Sequence, residues 1–299
     1  MKRNRNLTWQ PASGMSGDFS GRQVVVVGGT GGIGRAISRH LAARGADVVV
    51  VGQTFRDAGV RGIRFIQADL GLMSDAERVA ALLPAETLDL LIFTTGIFAA
   101  PQRQETAEGI ERDLAVSYLS RRVILQAVAP RLGTQRRDAA LKPRVFVMGY
   151  PGTGQLGTPG DFNSERGYGV MAAHMNTVAG NEALVLDAAA RHPHATFFGL
   201  NPGLIKTNIR DNLFGSGSFK SRVMEGLIGI FSPTADEYAS RISPLFLTPD
   251  IEHHSGAMFN RRGQAIEASA GMDPAYVRRL MAASEDVLAK AGRGGRQMA

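Results

Sequence analysis

The chain has 299 residues, 44% hydrophobic and 20% charged, a balance that suits a folded protein with a buried core rather than a disordered chain. It contains no cysteine, which excludes disulfides, thiolate nucleophiles and cysteine-ligated metals, and no apolar run approaches the roughly 18 residues of a membrane span. The formal net charge is +7, but Lys2, Arg3 and Arg5 at one end and Lys290, Arg293 and Arg296 at the other carry nearly all of the excess, so no basic groove for nucleic acid is expected in the body.

The N-terminal stretch MKRNRNLTWQPASGMSG is basic and lacks an apolar centre, so it does not read as a secretory signal. Residues 1–21 are expected to be a flexible basic arm, and a cytoplasmic protein is the default. Beyond the arm, QVVVVGG (23–29) is a β-branched run ending in glycines, which predicts a buried parallel strand. Residues 33–44 place Ile33, Ala36, Ile37 and Leu41 at helical spacing and stop at Gly45. DVVVVG (47–52) and IRFIQ (63–67) predict the second and third strands, DAERVAALL (75–83) a helix, and LDLLIFTT (88–95) the fourth strand. A long helix is predicted over 108–132, followed by a fifth strand, RVFVMG (144–149), and a Gly/Pro-rich loop. A helix containing Tyr168 then runs to about Arg191, and TFFGL (196–200) is the sixth strand. Strands alternating with helices over this length predict an α/β fold with a parallel sheet covered on both faces.

Residues 203–233 break the pattern. They hold Gly203, Gly215, Gly217 and Gly226 with apolar Leu213, Phe214, Phe219, Leu227 and Ile230. A loop this long after the carboxyl end of a strand reads as a substrate lid, and its apolar residues predict a small hydrophobic substrate.

The most specific signal is VVVVGGTGGIGRAI, in which Gly28, Gly32 and Gly34 follow a strand and open a helix. Glycines let the backbone approach a pyrophosphate, and a helix N-terminus offers that anion free N–H groups and a partial positive charge. With these motifs in hand, the chain from about Arg22 to Glu267 resembles the short-chain dehydrogenase/reductase superfamily. GGTGGIG is similar to its TGxxxGIG signature, and LDLLIFTTGI to the segment that usually reads Asn-Asn-Ala-Gly, here Phe93, Thr94, Thr95 and Gly96. ADL (68–70) is similar to its acidic dipeptide, NPGLIKTNI (201–209) to its PG…T element, and SGAMFN (255–260) to its closing strand.

The resemblance implies a single-domain, doubly wound Rossmann fold over 22–268 with a seven-stranded, mostly parallel sheet, and a C-terminal helix and basic tail over 269–299. It implies an NAD(P)-dependent oxidoreductase that reduces a carbonyl or enone on a small hydrophobic substrate. Gly28, Gly29, Thr30, Gly32, Ile33, Gly34 and Arg35 would hold the cofactor's phosphates, Asp69 and Leu70 its adenine, and Thr94, Thr95, Gly96, Pro202, Gly203 and Thr207 its nicotinamide half. After the second strand stand Gly52, Gln53, Thr54, Phe55 and Arg56, with no acid for a ribose 2′-OH. With Gln53 at the ribose and Arg35 and Arg56 able to approach a 2′-phosphate, NADP(H) is expected over NAD(H).

The catalytic pattern departs from the family's. Tyr168 fits the position of its proton-donating tyrosine, yet the lysine expected four residues on is Ala172. The family's serine aligns with Tyr150, and its helix asparagine with Ser117. Counted from Tyr168, His174 lies about 120° around the helix and is expected to point elsewhere. An alternative alignment on Asn176 puts Gly169 at the tyrosine position and leaves no acid. The rival reading is therefore a catalytically inactive nucleotide-binding sensor or scaffold. No metal site is expected, since His253 and His254 are adjacent and point apart. The resemblance also implies a possible homodimer or homotetramer through the two long helices, one of which would carry Arg112, Arg121 and Arg122 outward.

Overall fold

In a strand, successive side chains point to opposite faces, so an unbroken valine run suits only a sheet buried on both sides. The computed structural model, which describes residues 1–10, 17–136, 140–203 and 233–297, shows this division directly. In β1 (Gln23–Val27), Val25 and Val27 enter one core while Val24 and Val26 enter the other. In β2 (Asp47–Gly52), Val49 and Val51 part from Val48 and Val50 in the same way. With β3 (Ile63–Gln67), β4 (Leu90–Phe93), β5 (Arg144–Met148), β6 (Thr196–Leu200), β7 (Met258–Phe259) and β8 (Ala265–Ile266), they form one sheet in the order β3-β2-β1-β4-β5-β6-β7-β8. All pairings are parallel except β7 with β8.

Eight strands thus stand where seven were expected. The extra one is two residues long, too short to show a period, and is made by a turn in which Asn260 Oδ1 accepts the Gln264 N–H at 3.1 Å and Gly263 takes a φ of 74°. The N-terminal segment also differs from the expected free arm. Asn4 donates to the Ala265 carbonyl and Glu267 to the Lys2 carbonyl, Leu7 is buried, and the Trp9 indole donates to the Gly263 carbonyl at 2.5 Å. The unpaired backbone of the β8 edge provides those partners.

One face of the sheet is covered by α1 (Gly32–Ala42), through Ile37 and Leu41, and by α6 (Ala235–Ile242), through Tyr238 and Ile242. The helix α6 opens on a reciprocal cap between Thr234 and Glu237. The other face is covered by α2 (Met73–Leu82), α4 (Ser120–Val128), α5 (Val170–Arg191) and α7 (Pro274–Gln297). The helix expected over 108–132 is composite. Glu111 caps α3 (Arg112–Leu114) by accepting the Leu114 N–H at 2.7 Å, and the chain widens into a π-turn over Ala115–Leu119 before α4 begins.

The C-terminal helix α7 lies across the α4–α5 side of the molecule. Tyr118 meets Ser284 at 2.7 Å and Arg122 meets Glu285 at 2.5 Å. Arg122 is buried at 7% exposure beneath α7, and Arg121, at 3%, turns inward to the strand ends; neither is turned outward as expected. The expected lid lies outside the described residues apart from its edges, Gly203 and Pro233, and so does Thr207.

Because Leu280 of α7 is fully buried in the same core as α5, Leu280→Ala should lower unfolding stability by about 2–5 kcal/mol. Denaturant unfolding should keep one transition; a separate early transition would show that α7 is not part of the shared core.

Candidate active site

The order β3-β2-β1-β4-β5 reverses direction between β1 and β4, and ligands of such sheets bind outside the carboxyl ends of the strands at that switch. A cavity of about 1060 Å³ opens there. It runs from Gly31, Gly32 and Gln53, past Asp69 and Thr94, to Ser117, Tyr150 and His174.

The glycine loop builds the first half. Gly28 has a φ of 90°, and a Cβ on it would run into the Thr95 backbone. A Cβ on Gly34 would strike the Gly28 carbonyl and the Thr94 hydroxyl. These two glycines let the loop, α1 and the end of β4 close on one another. Gly31 has a different role. A Cβ there would meet nothing within 4 Å, and Gly31 caps α1 with no side-chain hydrogen bond and no acid in the first turn. Uncapped N–H groups and the positive end of the helix dipole thus open on the cavity, which suits a pyrophosphate.

Of the residues expected to hold a cofactor, Thr30, Gly32, Ile33, Gln53, Asp69, Leu70, Thr94, Thr95, Gly96, Pro202 and Gly203 line the cavity. Asp69 Oδ1 accepts from Gln53 Nε2 at 3.1 Å and from the Gly71 N–H at 2.9 Å, which fixes the carboxylate at this end of the cavity. Thr94 is set by its N–H and hydroxyl, both donating to the Val27 carbonyl at 2.8 and 3.1 Å.

Two expected phosphate residues stand elsewhere. Gly29 packs behind the loop, where a Cβ would meet Ser38 Oγ at 2.8 Å. Arg35 is held by Asp57, donating through Nε at 2.8 Å and Nη2 at 2.7 Å, with Arg39 adding 2.9 Å from Nη1. Asp57 is 4% exposed, and its carboxyl is held below the usual range, first by the Arg35 hydrogen bond, against the opposing pull of burial. Neither Arg35 nor Arg56 lines the cavity, so the arginine argument for a 2′-phosphate falls away.

The catalytic end requires a larger correction. Tyr168 is not in α5, which starts at Val170 after the extended cap Gly169. Asp161 accepts the N–H groups of Glu165, Arg166 and Gly167 and turns the chain so that the Tyr168 hydroxyl donates to the Ala100 carbonyl at 2.5 Å. Its phenol is pushed up by burial, then by Glu111 and Asp113. The phenol is committed to a backbone carbonyl, and Tyr168 does not line the cavity. The alternative alignment fares no better, because Gly169 is exposed and the Asn176 amide holds the Thr158 N–H and the Phe162 carbonyl.

The face of α5 that does line the cavity carries His174, Thr177, Val178 and Asn181, at the spacing of a single helical face. The 120° offset that turned His174 away was counted from a residue outside the helix, so it does not apply. His174 Nδ1 meets Asp113 Oδ2 at 2.7 Å, and its ring stacks on Phe98 with centroids 4.1 Å apart. Asp113 is fully buried, and its Oδ1 accepts the Ser117 hydroxyl at 2.5 Å. Ser117 Oγ in turn accepts the Ile97 N–H at 3.0 Å. Ser117 is thus in the site as expected, but it holds Asp113. Tyr150 lines the cavity just past the end of β5.

Beneath this group lies Arg121. Its Nη1 donates to the Met148 carbonyl at 2.5 Å and to Asn181 Oδ1 at 2.9 Å, and its Nη2 to the Thr95 carbonyl. One guanidinium thereby ties the ends of β4 and β5 to α5. Burial pulls it down to about 9, with Asp113 opposing, so it remains a cation at neutral pH. Reading the sequence missed Asp113, Arg121, His174 and Asn181; the signal available was the 174–177–178–181 spacing.

The short chain dehydrogenase family matches residues 22–140. An uncharacterized oxidoreductase of Saccharomyces cerevisiae is 49% identical over 296 residues, covering 98% of this chain and 96% of the yeast protein. The chain belongs to the short-chain dehydrogenase/reductase superfamily. A crystal structure of an uncharacterized Mycobacterium paratuberculosis protein shares the fold with a TM-score of 0.67 at 18% identity, covering 94% of this chain and 97% of that one. The NADP active-site complex of Pseudomonas aeruginosa RhlG does so with a TM-score of 0.60 at 19% identity, covering 84% and 98%. The protein is thus a short-chain-type oxidoreductase, in a family that uses NAD(P) cofactors. No helix among the described residues is long and apolar enough to cross a membrane.

The Asp57 cluster generates a pH prediction. A carboxyl whose folded pKa is lowered contributes fully above its unfolded value of about 4 and loses that contribution as pH falls through the folded value. Asp57→Asn should therefore cost about 1–2 kcal/mol at pH 7, the low end because Arg39 is half exposed. In urea unfolding the gap from the parent should narrow below about pH 4; a gap constant with pH would contradict the ion-pair account.

Proposed function

We propose that this protein is an NAD(P)(H)-dependent reductase of a carbonyl or enone on a small hydrophobic substrate. The observation that carries this reading is the uncapped N-terminus of α1, opening through Gly31 into a cavity whose far end is lined by Ile97, Phe98, Met148 and Val178. A bound nicotinamide dinucleotide would supply the hydride. Gly31, Gly32 and Ile33 would take its pyrophosphate, Asp69 and Leu70 its adenine, and Thr94, Thr95, Gly96 and Pro202 would border its nicotinamide half. NADP(H) is the proposed preference on one remaining ground. Gly52, Gln53 and Thr54, which follow β2, bring no carboxylate to the position that would meet a ribose 2′-OH. The apolar end supports a hydrophobic substrate, because it would exclude water from a charged transition state.

The second reading, a nucleotide sensor without turnover, has one observation in its favour. Tyr168 is held away from the cavity, and the residue one turn beyond His174 is the apolar Val178 rather than a lysine. Turnover of any carbonyl separates the two readings.

The direct test is a fluorescence titration with NADPH and NADH. Micromolar binding of NADPH and weaker binding of NADH is expected; binding of neither contradicts the proposal. Gly31→Asp sharpens it. An aspartate at this extended cap position should leave the fold unchanged or up to about 1 kcal/mol more stable. Its charge should weaken dinucleotide binding at least about a hundredfold by occupying the anion's place. A stable Gly31→Asp variant with unchanged affinity would show that the pyrophosphate sits elsewhere.

A further inference from the structure

We propose that His174, oriented by Asp113, is the acid that protonates the substrate oxygen, in the role that the family resemblance assigned to a tyrosine. The inference rests on the reductase reading above.

Three restraints fix the ring. Phe98 lies on its face, Asp113 Oδ2 engages Nδ1 at 2.7 Å, and α5 presents it to the cavity. The remaining nitrogen, Nε2, has no partner among the described residues and belongs to a side chain that lines the cavity. Asp113 is suited to its part because it is itself fixed. Ser117, one turn further on through the π-turn, donates to Oδ1 at 2.5 Å, and Ser117 is anchored by the Ile97 N–H. A carboxylate with its second oxygen taken by a hydroxyl can only accept from Nδ1–H, so it sets the tautomer. Arg121 lies near the pair, and Asp113 supports its positive charge against the pull of burial. Charged groups near the pair include Glu111, which caps α3 and interacts with Asp113, and Arg112 and Glu105, which line the cavity.

The chemistry balances with one proton from the chain. In a carbonyl reduction the hydride adds to carbon, the C=O π pair moves to oxygen, and the oxygen needs a proton. The Nε2–H bond of the His174 imidazolium breaks and the O–H bond of the alcohol forms. The ring is left neutral with its other proton on Nδ1, donated to Asp113, and is recharged from solvent. His174 is the catalytic residue; Asp113 and Ser117 are positioning residues.

The test combines a readout on the resting protein with one on turnover. Nitrogen-15 NMR of the histidine rings, assigned with His174→Phe, should show the neutral His174 ring protonated on Nδ1, and Asp113→Asn should remove that preference. NADPH affinity should change less than about twofold in His174→Phe, while reduction of a panel of aliphatic and aryl aldehydes and ketones should fall about 100-fold to 10,000-fold. Added imidazole should restore part of the turnover of His174→Ala, which a purely structural histidine would not allow. If Asp113→Asn fails to fold, the two His174 variants carry the test, since that side chain is partly exposed. Absence of NADPH and NADH binding to the parent protein overturns the reductase reading itself. Binding without turnover, turnover that survives His174→Phe, or an Nε2-protonated ring overturns the histidine proposal while leaving the cofactor site standing.

Discussion

The functional half of the molecule depends on a helix that begins without a side-chain cap at the point where the sheet changes direction. The first N–H groups of any helix need partners. In α1 no side chain provides them, and Gly31 and Gly32 leave the space in front of them open. The closeness of Gly28 and Gly34 to Thr94 and Thr95 sets that helix end against the end of β4. The same β4 end leads into the loop carrying Ile97 and Phe98, which anchor Ser117 and cover His174. The seat for an anion and the candidate proton donor are thus joined by one short stretch of chain.

The second organising element is a buried cluster of charge at the far end of the cavity. Asp113 and Arg121 are almost fully buried, and Glu111 beside them is pushed up, first by its burial. Isolated charges would be costly in such a place, but here both Arg121 Nη atoms and both Asp113 carboxylate oxygens are hydrogen-bonded. Arg121 satisfies carbonyls at the ends of two strands, and Asp113 takes a hydroxyl and an imidazole. The cluster ties the ends of β4 and β5 to α5.

The sheet was legible because valine runs and glycine punctuation report local physics. A run buried on both faces reads the same whatever surrounds it, and a glycine loop between strand and helix has few other uses. The expected cofactor residues other than Gly29 and Arg35 come together around one cavity, save Thr207, which lies outside the described residues. The catalytic end was not legible in the same way. Its geometry depends on where α5 starts, and that is set by Asp161 gathering three N–H groups in the preceding loop. Moving the helix start past Tyr168 changes which face meets the cavity and exchanges a tyrosine for His174. The partners of Arg35, Arg121 and Arg122 were hidden for a related reason, because they come from elements distant in sequence or from carbonyls. The β8 hairpin and the N-terminal segment along it were too short to leave a periodic signal.

The proposed seat of the dinucleotide's pyrophosphate is the N-terminus of α1. Amide hydrogen exchange resolved to single residues, with and without saturating NADPH, measures it most directly. Slowed exchange at Gly31, Gly32 and Ile33, together with the Thr94–Gly96 stretch, is the predicted result. Protection confined to other surfaces, with the amides of the glycine loop exchanging as fast as in the free protein, would contradict it.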